Sequence, residues 1–148
     1  MINQILIPTD FSPASWEATK LGVEIAKLRN ATLSLLHIIP TVSRYSDEKK
    51  QLQLPDRIST IKKKMDEICL NLDTTNSILM QTHVLPGNVE NTMSRFVQEN
   101  IYDLVILGIN SNGENNEIGS HTKHLIESCG IPVLLVPNKR QASEAIAV

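Results

Sequence analysis

Aromatic residues are almost absent from this chain of 148 residues, which has one Trp, two Tyr and two Phe. Five rings cannot supply the stacking platforms that single-stranded nucleic acid requires, and they leave the core to Ile, Leu, Val and Ala. Cysteine is equally scarce. Cys69 and Cys129 are too few and too far apart for a disulfide framework or a zinc knuckle. Each sits in an apolar helical context that suits a small buried hydrophobe. Neither sign of charge dominates: 14 Lys and Arg against 16 Asp and Glu leave a net charge of −2. That balance gives no electrostatic case for wrapping nucleic acid or coating an anionic membrane. No apolar run approaches the roughly 18 residues of a membrane span. The opening Met-Ile-Asn-Gln-Ile-Leu-Ile-Pro lacks the basic stretch and the length of a signal peptide. A soluble cytoplasmic chain is expected.

What is present is ordinary for a globular protein: 41% hydrophobic and 20% charged residues. The length is that of one domain, so residues 1–148 are expected to form a single unit, with a frayed tail from about 138 onward. Short aliphatic runs alternate with amphipathic helices. Ile5-Leu6-Ile7 reads as a strand ended by Pro8, and Ser12-Pro13 as a capped helix start followed by Ala18, Leu21, Gly22, Ile25 and Leu28 on one stripe. Thr32 to Ile39 is a nearly continuous apolar strand stopped by Pro40, and residues 41–55 read as an exposed polar loop. Ile58, Ile61, Met65, Ile68, Cys69 and Leu72 then define a second helix, with Lys62-Lys63-Lys64 on its solvated side. Ile78 to Val84 is a third strand, Pro86-Gly87 a turn, and Asn88 the cap of a third helix. Tyr102 to Leu107 is a fourth strand ended by Gly108. A helix from about Ser120 to Ser128 closed by Gly130 and a fifth strand from Pro132 to Val136 complete the chain. Five strands alternating with four helices predict an α/β three-layer sandwich, a parallel sheet with helices on both faces. Ligands of such sheets bind outside the carboxyl ends of the strands.

Two segments at those ends carry candidate chemistry. One is Ile5-Leu6-Ile7-Pro8-Thr9-Asp10-Phe11-Ser12, and the other runs from Gly108 to Ser120, ahead of Ile131-Pro132-Val133-Leu134-Leu135-Val136. Together with the Val84 to Gly87 turn they resemble the universal stress protein family over nearly the whole chain. The resemblance implies sheet order 3-2-1-4-5, a cytoplasmic sensor or regulator that binds ATP or a related adenine nucleotide, with or without Mg²⁺, and a homodimer built on the last strand. Nucleotide-binding members carry a Gly-x2-Gly-x9-Gly-Ser/Thr loop around the phosphates. Here Gly108 matches the first glycine and Gly119-Ser120 the last pair, while Ser111 stands at the second glycine, with Gly113 two residues later. Ten residues separate Gly108 from Gly119 where the motif has twelve. The shortened loop reads either as a rearranged phosphate cradle or as a plain connection in a dimeric interaction protein of the same fold.

By the same resemblance Asp10 lies beside the adenosine moiety, Pro8 and Thr9 add shape, Ile39 walls the base, and Val84 and Gly87 form a third contact region. Helix-start electrostatics would also explain Asp10, and simple turn chemistry would also explain Val84 and Gly87. An uncovered aliphatic edge independently favours pairing between copies through Val133 and Leu135. Of the four histidines, His37 and His83 lie in strands and read as core or edge imidazoles. His121 and His124, three apart on a helix, lack a third ligand in sequence, so no metal is expected. No nucleophile elbow, P-loop or Ser-Gly-Gly-x-Asp-Ser adenylating loop is present, so no enzyme activity beyond slow incidental ATP hydrolysis is expected.

Overall fold

The structure is a computed structural model that describes residues 1–41, 48–110 and 120–138. In chain order its elements are β1 (Gln4–Pro8), α1 (Pro13–Arg29), β2 (Thr32–Pro40), α2 (Glu48–Leu72), β3 (Met80–Gly87), α3 (Val89–Glu99), β4 (Leu104–Ile109), α4 (Ser120–Ser128) and β5 (Val133–Pro137). All strand pairs are parallel and the order is β3-β2-β1-β4-β5. The α/β sheet and the order 3-2-1-4-5 are as expected from the sequence.

Side-chain alternation divides the core into two layers. Ile5, Ile7, Leu33, Leu35 and Ile106 point to one face, where Ala18, Val23 and Ala26 of α1 and Met65 of α2 cover them. Leu6, Leu36, Ile38, Val105 and Leu107 point to the other face, beneath Val97 of α3 and Leu125 of α4. Strands covered on both sides are apolar at nearly every position, which is why β2 shows no polar alternation. Ser12 caps α1 by accepting from the Ser15 N–H at 3.2 Å, and Asn88 caps α3 by accepting from Asn91 at 3.0 Å. Among the described residues no helix is long and apolar enough to cross a membrane.

Three boundaries differ from the sequence reading. The expected loop 41–55 is helical from Glu48, and α2 runs through Pro55. Leu54 and Ile58 on either side of that proline pack against the core, and this anchoring outweighs the missing backbone donor. β3 is displaced toward the C-terminus, so Pro86 and Gly87 still pair with Ile39 and Pro40. Gly108 does not end β4: it pairs with Val136, and the strand continues to Ile109. Of the tail expected to fray from about 138, Asn138 N–H donates to Ile109 O at 3.2 Å, and residues 139–148 lie outside the described residues.

Candidate functional site

Every strand ends its run at the same edge, and every following helix begins there. β1 lies at the switch point, between β2 on one side and β4 on the other. Past Pro8 the chain turns tightly. Thr9 N–H donates to Leu36 O at 2.8 Å, and the Thr9 carbonyl lies 2.8 Å from His37 Nδ1. A carbonyl can only accept, so His37 carries a proton on Nδ1 and donates it to the Thr9 carbonyl. Phe11 follows with a φ of +64°, a left-handed conformation that costs a bulky residue about 1–3 kcal/mol. Its N–H donates to Thr9 Oγ1 at 3.1 Å. Its ring is held between the His37 ring, 4.8 Å away, and Lys64 Nζ, 4.4 Å away.

Asp10 projects from this turn and is exposed. Its Oδ1 accepts from Ser12 N–H at 2.9 Å and from Ser15 Oγ at 3.1 Å. Partial burial pushes its carboxyl pKa up, but the Ser12 and Ser15 hydrogen bonds prevail and hold it below the ordinary carboxylate value. Oδ2 has no protein partner among the described residues. The carboxylate is therefore a negative charge fixed through Oδ1 at the carboxyl edge.

Gly108, at the adjoining end of β4, has a packing role. A Cβ there would run into the Ala14 carbonyl in the first turn of α1. Gly87, with φ +146°, stands against Thr92 in the same way. Pro8 and Thr9 sit beside Asp10. Ile39 is only 1% exposed and belongs to the core layer beneath α1 and α2, and Val84 is buried as well. Ser120 is the first residue of α4. Ser111, Gly113 and Gly119 lie outside the described residues. The structure thus brings together Pro8, Thr9, Asp10 and Gly108 at the switch point. Ile39 is set back in the core, and Val84 and Gly87 lie on the outer strand of the sheet.

Lys64 escaped the sequence reading as a neighbour of this turn, and so did the parts played by Phe11, which lies inside the candidate segment, and by His37, read as a core or edge imidazole. A bulky residue wedged between Asp10 and Ser12, where the turn needs a positive φ, was the available signal. The Lys62-Lys63-Lys64 run, read as a solvated face, makes specific contacts at two positions. Lys64 covers Phe11, and Lys62 Nζ donates to Thr82 O at 3.0 Å and Oγ1 at 2.8 Å. On the opposite face His121 Nδ1 lies 3.2 Å from Glu90 Oε1, and His124 Nδ1 lies 3.9 Å from Oε2, which ties α4 to α3. Among the described residues no group of three His, Cys, Asp or Glu is arranged to hold a metal ion. Both cysteines are free thiols, and burial pushes the Cys69 thiol up to about 11. Val133 and Leu135 lie on β5, an edge strand that pairs only with β4.

The sequence profile of the Universal stress protein family matches residues 1–137. Universal stress protein UspA from Lactobacillus plantarum superposes with a TM-score of 0.76 at 23% identity, over 91% of this chain and 97% of that one. A universal stress protein solved in complex with cAMP gives 0.65 at 16% identity, over 91% and 96% of the two chains. An Arabidopsis thaliana protein of the family, solved with AMP bound, gives 0.65 at 10% identity, over 95% and 94%. With its profile matched from the first strand to the last, this chain belongs to the universal stress protein family.

Proposed function

We propose that this protein binds an adenine nucleotide at the carboxyl edge of its sheet and acts as a cytoplasmic sensor or regulator of a stress response, not as an enzyme. The observation that carries the reading is Asp10: a fixed carboxylate at the switch point whose Oδ2 is left to accept hydrogen bonds from ribose hydroxyls. The AMP and cAMP bound to two proteins of the same fold support an adenine ligand. ATP, with or without Mg²⁺, is the proposed nucleotide. Ser120, at the first position of α4, would add a hydroxyl and the positive end of a helix to its phosphates. Ser12 is occupied as a cap, and the Ser15 hydroxyl has no histidine behind it, so the edge positions a ligand without an activated nucleophile.

The test is to denature freshly purified protein, chromatograph what is released, and titrate ATP–Mg²⁺ calorimetrically. Co-purified adenine nucleotide, or binding weakened in Asp10→Ala and Ser120→Ala, supports the reading. An empty protein with no heat of binding favours the second reading, a dimeric interaction protein of this fold. That second reading is favoured by the packing role of Gly108, which accounts for the glycine without a ligand. Both readings include a homodimer through β5, whose Leu134 is 38% exposed along an unpaired edge. Leu135→Lys is expected to elute as monomer on sizing, and an unchanged dimer would reject the β5 arrangement.

A further inference from the structure

Between α1 and α2, on the face of the sheet below Phe11, lies a cavity of about 120 Å³. Its floor is apolar, made by Leu35, Met65 and Ile68, and the Phe11 and Trp16 rings flank it. That is close to the size of engineered apolar cavities, about 150 Å³, that take up a benzene ring. One wall is polar, and its chemistry is one-sided. Thr9 Oγ1 and Ser12 Oγ both donate to Ser15 Oγ, at 3.1 and 3.3 Å. Ser15 Oγ in turn donates to Asp10 Oδ1 at 3.1 Å or to Ser12 O at 2.9 Å, and Thr19 Oγ1 donates to Ser15 O at 2.7 Å. Every hydroxyl proton on the wall is committed inside the protein. What remains toward the cavity is lone pairs, so the wall can accept a hydrogen bond and has none to give. The cavity's charged donor is Lys64, whose ammonium stands over the Phe11 ring and has no carboxylate partner among the described residues.

We infer that this cleft is a second binding site, one for a single-ring aromatic acid that carries a hydroxyl opposite its carboxylate. The ring fills the apolar floor, the carboxylate meets Lys64, and the ligand's hydroxyl donates to the lone pairs of the Thr9–Ser15 wall. A nucleotide is several times too large for this volume. Of the residues proposed to contact nucleotide, only Thr9 lines the cavity. The inference does not depend on the nucleotide reading.

Trp16 is the chain's single tryptophan and lines the cavity, so its fluorescence reports occupancy directly. The probe is 4-hydroxybenzoate, titrated into the full chain. A saturable change is expected with a Kd on the order of 0.1–1 mM, the range of a ligand this small. Binding should weaken roughly threefold in Lys64→Gln, an exposed position where the fold is not at risk, and similarly for the uncharged 4-hydroxybenzyl alcohol. Methyl NMR should show shifts at Met65 and Ile68. No saturable change, a titration unaltered by Lys64→Gln, or shifts centred on Leu125 across the sheet would each overturn the site. No readout requires a nucleotide, so failure here and failure of the nucleotide reading are told apart.

Discussion

At the amino end of the sheet two aspartates tie down backbone at the starts of strands, whereas at the carboxyl end Asp10 ties down the turn that opens α1. Asp73, between α2 and β3, has a side chain only 3% exposed. It accepts from Ile78 N–H at 3.0 Å and Ser77 Oγ at 2.8 Å, with Lys27 Nζ 3.8 Å away. The Ile78 bond and then the Ser77 bond draw its carboxyl down to about 2. Asp103 accepts from Asn3 and Gln4 N–H groups at 2.8 and 2.9 Å through a single oxygen, and those bonds lower its pKa too. Asp10 is also held below its ordinary value, by hydrogen bonds from Ser12 and Ser15 within its own turn. All three are ionised at neutral pH. A depressed pKa therefore does not mark the ligand edge. Asp103 also bonds through one oxygen, so what distinguishes Asp10 is its place past β1, at the switch point of the carboxyl edge.

The harshest way to break the comparison is Gly108→Val, which forces a side chain into the first turn of α1 at the carboxyl edge. Overpacking against backbone should cost about 3 kcal/mol, read as a lower midpoint in urea unfolding. A variant of unchanged stability that lost nucleotide would instead put the glycine in the ligand's path. Asp73→Asn should act at the other end by removing charge from a closed network. Because the folded pKa is depressed, the stabilisation is present above the ordinary value of 3.8 and is lost as pH falls toward about 2. The wild-type thermal midpoint should fall across that interval, while Asp73→Asn starts lower at neutral pH and falls less. Equal slopes for the two proteins would remove Asp73 from the acid response.

Strand count, helix count and the doubly covered core were legible because they rest on apolar periodicity, which survives in a single sequence. Sheet order came through the family resemblance, since no local pattern distinguishes β3-β2-β1-β4-β5 from other arrangements. Polarity and glycine misled the boundaries. The polar run 41–55 reads as a loop, yet α2 begins at Glu48 and Leu54 and Ile58 anchor it on both sides of Pro55. Gly108 reads as a stop, yet it is the residue that lets β4 lie under α1. Both signals are local, and both were overruled by packing partners far away in sequence. The same limit applies to the site. Asp10 was visible from its place after the first strand, but His37 and Lys64 reach Phe11 from β2 and α2, contacts that no spacing rule connects.

The mildest perturbation is also the sharpest for the carboxyl edge. Ser12→Ala removes the hydroxyl that caps α1 through the Ser15 N–H and that also helps to lower the Asp10 pKa, but leaves the Ser12 backbone N–H and the Ser15 hydroxyl on Asp10 Oδ1. Loss of an N-cap of this kind should cost about 1 kcal/mol, a modest shift of the urea midpoint. The Asp10 carboxylate should keep its orientation, so nucleotide affinity by calorimetry should stay at the wild-type value. Stability and binding would then be separable within one turn, with the remaining bonds to Asp10 Oδ1 sufficient to hold the carboxylate for the ligand. If affinity fell together with stability, the hydroxyl row from Thr9 to Ser15 would have to be counted as part of the nucleotide site, and the free oxygen of Asp10 would not be sufficient to define it.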